Sequence, residues 1–160
     1  MRPAYRVWQF WQALTAAPAR EPPCALAPGL AALYRAMPRT DRAHALRTYQ
    51  KLRAAGPLPE ALAAAALLHD VGKLWGQVRL WHRVAYVLAR GRPPLWLARR
   101  PGVAALAGHA ARGAELLAAA GADAQAVDLV RHHHDAPSSL GWPADRRALL
   151  EALQRADEAS

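Results

Sequence analysis

The sequence predicts an all-α fold, and three observations predict it. Strand signals are nearly absent: no alternating run rich in Val, Ile and Thr occurs, and Phe10 is the only phenylalanine. Hydrophobic residues make up 53% of the chain, much of it alanine and leucine, which enter helices at little cost. Glycines and prolines then cut the chain into helix-length segments. At 160 residues the chain fits one domain of ordinary size, able to bury a core without cross-links.

The first expected helix spans roughly Tyr5 to Ala17, with Val7, Trp8, Trp11 and Leu14 close to helical spacing. The proline-rich stretch APAREPPCALAPG reads as a linker, and GLAALYRAM as a short helix ended by Pro38. Next, Thr40 or Asp41 can cap a helix that Gly56-Pro57 closes. PEALAAAALLHD follows, with Pro59 suited to a first turn. An amphipathic helix is expected over QVRLWHRVAYVLARG, broken by RPPLWLARRPG. Two further helices run from about Val103 to Ala120 and from Asp123, a suitable N-cap, to His134. The loop APSSLGWP leads to the last helix, ADRRALLEALQRADEAS. The expected organisation is therefore an N-terminal helix, linker and short helix over 1–39, then one helical domain over 40–160.

Composition narrows the functional classes. A single cysteine, Cys24, allows no intramolecular disulfide. No apolar run approaches the roughly 20 residues of a membrane span. The N-terminus lacks the continuous apolar centre of a secretory signal, so a cytoplasmic protein without a transmembrane segment is expected. The formal net charge is +9, and Lys51 and Lys73 are the only lysines among 21 basic residues. A GC-rich coding sequence explains an excess of arginine and alanine; an anionic partner explains the same charge through its field.

The residues that carry chemistry are a set of imidazoles and carboxylates. His44 lies on the first turns of the capped helix, and His69-Asp70 ends the next, within LLHDVGKLWG. His109 sits mid-helix in VAALAGHAARGAELL, the run HHHD over 132–135 ends the following helix, and Asp157 lies near the end of the last. Most have alanine, leucine or glycine neighbours, so they interrupt otherwise apolar faces. Any one alone is an ordinary polar residue; the ordered set is not.

That order, His44, then His69-Asp70, then Asp157, resembles the signature of the HD superfamily of metal-dependent phosphohydrolases, and HDVGK resembles its HDxGK form. The resemblance covers about residues 40 to 158 and implies an HD-domain helical bundle. His109, followed by ARGAELL, and His133-His134 resemble the additional histidines of two-metal members, of the HDIG and HD-GYP kind. HHDAPSSLGWP, 133–143, is similar in spacing to the HHE…GYP line of cyclic di-GMP phosphodiesterases. Asp135 stands there for glutamate and Trp142 for tyrosine, and the line's arginine and Asp-Gly are missing. Thr40 stands where some of those enzymes carry an acidic ligand. The chain thus reads as a relative of that group rather than as a cyclic di-GMP enzyme.

The resemblance implies His44, His69, Asp70 and Asp157 around a first metal. Asp70 as bridge, His109 and His133, with His134 alternate or additional, would hold a second. A mixed histidine and carboxylate set suits one or two divalent ions of the Mn, Fe, Zn, Mg, Ni or Co type and not a soft thiolate-type site. Asp70 is the expected catalytic centre, and Lys73 the expected contact to a substrate phosphate. Gly72 is expected to end the helix in the left-handed region and turn Lys73 toward the site.

A phosphorylated small molecule or nucleotide is the expected partner, cleaved at a phosphate ester or phosphoanhydride; nucleic acid is the less favoured partner. Small HD proteins acting on dinucleoside polyphosphates resemble the chain in a final Ala-Asp segment, here RADEAS. The alternatives are a non-catalytic regulatory HD module binding a nucleotide or a protein, and an oxidative di-iron enzyme on the same scaffold. In segment 77–100, Arg79, Arg83, Arg90, Arg92, Arg99 and Arg100 are interleaved with Trp81, Tyr86 and Trp96. It reads first as an amphipathic stretch with apolar residues in the core, and second as a rim that stacks a nucleobase. His82 within it is a further site candidate.

Overall fold

The computed structural model describes residues 20–76 and 94–160. The helices expected over Tyr5–Ala17 and over 77–90, with His82 and most of the arginine-rich segment, lie outside the described residues. Within them the chain is helical, with no strand.

Helix α3 (Glu60–Leu68) is the axis of the fold. Every residue from Leu62 to Leu68 is buried, so this helix is apolar all round, as only a central helix can be. Its run Ala63–Ala66 has short side chains, which lets neighbours approach closely. Helices α1 (Pro28–Ala36), α2 (Arg39–Ala55), α6 (Ala124–His132) and α7 (Ala144–Glu158) all pack on it. Leu67 and Leu68 of α3, with Leu117, Leu129, Leu150 and Leu153 from the other helices, are fully buried in one core. Each such side chain contributes about 1.5–3 kcal/mol by leaving water. Helix α1, which falls within 1–39, buries Leu30 and Tyr34 in the same core.

Beyond α3 the chain tightens into a 3-10 helix, Val71–Gly76. It packs on α5 (Pro101–Ala119) more extensively than any other pair of described elements. Gly72 makes this possible, though not by a left-handed turn. The described glycines with positive φ are Gly56, Gly121 and Gly141, and Gly72 is not among them. A Cβ on Gly72 would overlap the His109 carbonyl oxygen and stand 2.6 Å from the Gly113 nitrogen. The expected helix end is thus a point of backbone contact: glycine is needed for closeness rather than for dihedral freedom.

The other boundaries follow local chemistry. Pro38, with its fixed φ, starts α2 at Arg39, ahead of the expected caps. No side chain caps that helix; Thr40 donates to the Asp41 carboxylate, and Asp41 is buried. Asp123 does cap α6, accepting from the Gln125 amide at 2.7 Å. Gly121, at φ 79°, ends α5 in the left-handed region. The stretch expected to be a breaker contains a short helix α4 (Leu95–Ala98) leading into α5. Leu95 and Trp96 there are 68% and 69% exposed, against the expectation that the apolar residues of 77–100 enter the core. Among the described residues no helix is long and apolar enough to cross a membrane.

Candidate metal centre

Five elements deliver seven side chains to one end of α3. Helix α2 brings His44, the end of α3 brings His69 and Asp70, and α5 brings His109. The residues just past α6 supply His133 and His134, and the last turn of α7 supplies Asp157. His69, Asp70, His109 and His133 are buried, at 1 to 5% exposure. That is an expensive place for polar groups unless each finds a partner.

The partners on one side are backbone carbonyls. His69 Nδ1 lies 3.0 Å from the Ala66 oxygen, His109 Nδ1 2.8 Å from Leu106 and His133 Nδ1 2.6 Å from Val130. Each ring thus donates Nδ1–H to the carbonyl three residues back, which fixes its tautomer and leaves Nε2 to face inward. Because the helix repeat sets this bond, burial and ring orientation come from one local geometry.

Inward, the Nε2 atoms converge in two groups. His44 Nε2 lies 3.3 Å from His69 Nε2 and 2.6 Å from Asp157 Oδ1; His69 Nε2 is 3.4 Å from the same oxygen. On the other side, His109 Nε2 lies 3.2 Å from His133 Nε2 and 3.1 Å from His134 Nε2. Asp70 stands between. Its Oδ2 is 3.9 Å from His69 Nε2, and its Oδ1 is 3.4 Å from His109 Nε2. Lys73 reaches back to Asp70 Oδ2 with its ammonium.

Charge follows this arrangement. Burial opposes ionisation of Asp70, but Lys73 and the surrounding histidines hold its carboxyl well below the usual range. Burial likewise opposes charge on Asp157, and hydrogen bonds from His44 and His69 overcome it. For His69 burial is outweighed by Asp70 and then Asp157, which lift the imidazole to about 9. Burial wins at His109 and His133, pushed down to about 4 and about 3, and it lowers His134 too.

At neutral pH, then, His109 and His133 are uncharged, with Nδ1–H committed to backbone and bare Nε2 lone pairs facing each other. An ionised Asp70 oxygen joins them. Lone pairs converging in a buried space lack a positive charge, and a divalent cation fits that need. In the other group the proton on His69 answers it, and metal binding displaces such a proton. The two groups His44–His69–Asp70 and His109–His133–His134 are each placed to hold a metal ion.

All seven ligand candidates named from the sequence, and Lys73, meet here. His132 does not: it pairs with Asp135 at 2.7 Å and stands edge-on to Trp142. Arg146 lies over the same indole, 4.1 Å from its centre. The departing residues of the 133–143 line thus brace the α6–α7 junction. Sequence reasoning missed Gln154, whose amide donates to the carbonyls of His133 (3.2 Å) and Asp135 (2.8 Å). It lies three residues before Asp157, on one helix face, and so ties both groups together. That register was visible, but a glutamine gives no signal of its own.

No curated protein and no solved structure matches the chain. A family model does: that of the HD domain, over residues 42–159. Its span takes in all seven candidate ligands and most of the sequence, and the helical architecture agrees with it. The chain belongs to the HD domain family, a family of metal-dependent phosphohydrolase type.

Proposed function

We propose that the chain is a phosphohydrolase with a two-metal site, of the HDIG and HD-GYP-like kind, cleaving a phosphate ester or phosphoanhydride of a nucleotide-type substrate. One observation carries the reading: the two oxygens of Asp70 face two separate histidine groups. A bridging carboxylate needs that disposition. His44, His69 and Asp157 would complete one ion's shell; His109, His133 and His134 would complete the other's.

When bound, two such ions supply activated water at neutral pH and neutralise charge on the phosphate oxygens. The protein's own part is orientation. The three Nδ1–carbonyl bonds hold His69, His109 and His133 so that no ring must turn on binding. Asp70, held well below the usual carboxylate range by its neighbours, is ionised at neutral pH and presents no proton to the cation space there. Lys73, partly exposed beside Asp70, offers a point charge to a substrate phosphate.

The test is hydrolysis of a panel of nucleotides and aryl phosphates with added Mn, Ni, Co or Mg, together with the metal content of the same samples. Wild type is expected to turn over and Asp70→Ala to lose both metal and activity. Equal turnover in the two proteins would defeat the proposal. The competing reading, a regulatory HD module without turnover, draws on the ion pair by which Lys73 already neutralises Asp70. It expects a folded protein that takes up no metal.

A further inference from the structure

The metal centre leaves one surface feature unused. Helix α4 presents Leu95 and Trp96 side by side, both more than two-thirds exposed. Large apolar residues are rarely left so open without a use when they stand together. One turn on are Arg99 and Arg100, also exposed, with no ion-pair partner among the described residues. The spacing 95/99 and 96/100 places each guanidinium one helical turn from an apolar side chain.

Along the sequence, the charge flanking this turn is one-sided. From Gln77 to Arg100 the sequence carries six Arg and no Asp or Glu, against a net charge of +9 for the whole chain. About two-thirds of the net positive charge therefore belongs to the stretch of sequence that contains α4. The apolar tip and the charge each point to the same occupant. We propose that α4 docks the protein on an anionic lipid surface, with Leu95 and Trp96 entering the headgroup region and Arg99 and Arg100 pairing with lipid phosphates. Trp favours that boundary because one part of its ring is apolar and the other polar. A pairing of apolar insertion with basic charge is also what stable peripheral binding requires, since either signal alone is weak. A nucleic-acid strand would use the indole and the arginines but has no use for an exposed leucine.

Docking there has a consequence for the metal centre. Helix α4 runs into α5, whose ninth residue is His109. Binding through α4 therefore sets the orientation of the helix that carries one histidine group. The docking itself does not depend on turnover.

The test is co-sedimentation of the full chain with phosphatidylcholine vesicles, with and without roughly a third phosphatidylglycerol, at low and high salt. Binding is expected only to the anionic vesicles and is expected to weaken as salt rises. Leu95→Asp with Trp96→Ala, and separately Arg99→Glu with Arg100→Glu, should each weaken it by about tenfold or more. Melting temperature and metal content, read on the same variants, should stay at the wild-type values. Failure of wild type to pellet with anionic vesicles would overturn the proposal. So would undiminished vesicle binding by the Leu95/Trp96 variant, or variants whose only loss is in self-association or in binding single-stranded RNA. None of these results bears on hydrolysis, which is measured on soluble substrates.

Discussion

Lys73 and the histidines behave differently at the scale of single residues. Lys73 contacts Asp70 and is partly exposed, so its loss removes a charge-assisted contact without opening the core. Lys73→Met is expected to lower kcat/KM roughly tenfold to hundredfold, while metal content holds near wild type. Steady-state kinetics beside metal analysis checks this. The buried imidazoles instead govern stability. His109 and His133 have folded values of about 4 and about 3 against about 6.5 in an unfolded chain. Below pH 6.5 the unfolded chain takes up protons that the folded chain refuses, so stability falls as pH drops toward 4. His69, raised to about 9, works oppositely: its contribution is present below about 6.5 and is lost as pH rises through 9. Asp70 and Asp157, held low, add stability that disappears only in stronger acid. Chelator-treated protein should therefore show a urea midpoint that is highest near neutrality and falls toward pH 4.5. A midpoint that rises on acidification would contradict these assignments. The candidate ligands were legible as a set because each is an imidazole or carboxylate interrupting an apolar face, in a recognisable order. Which ring nitrogen faces inward was not legible, since that depends on carbonyls three residues back.

The junction of the 3-10 helix with α5 sets the site's geometry at the scale of elements. A methyl group on Gly72 would collide with backbone atoms of His109 and Gly113, and backbone cannot swing aside as a side chain does. Gly72→Ala is expected to destabilise the protein by about 3 kcal/mol or more, comparable to strain or overpacking in a core. It should also weaken metal binding, because the contact Gly72 allows joins the segment just after Asp70 to the helix that carries His109. Gly108 is the control. It sits on the exposed face of the same helix, where an added methyl group would meet nothing within 4 Å, so Gly108→Ala should stabilise by about 0.5–1 kcal/mol. Thermal melting of the two variants separates close approach from helix propensity. Here the sequence misled: a glycine after a helical run most often ends it in a left-handed residue, and only the long-range contact with α5 reveals another purpose. Pro38 likewise displaced the caps expected at Thr40 and Asp41. By contrast, Asp123 and Gly121 were readable, because both act on their own neighbours.

At the scale of the whole molecule, the described residues form a helical frame built around α3, whose end holds the ionisable groups. Fold class, and the gathering of candidate ligands from five elements, could be read because helix period and the order of imidazoles and carboxylates are properties of the sequence itself. The exposure of Leu95 and Trp96 could not, since an apolar residue in an amphipathic stretch carries no label for which neighbour covers it. A frame that keeps lone pairs converging in a buried space should gain stability when a cation enters. Metal at about a thousand times its Kd is expected to add ~4 kcal/mol, read as a rise in Tm over the chelated protein. The measurement that bears most directly on the proposed two-metal centre is anomalous diffraction from manganese-loaded crystals. Two peaks are expected, one beside His44, His69 and Asp157, the other among His109, His133 and His134, with Asp70 reaching both. A single peak away from Asp70, or no peak at all, would contradict the account.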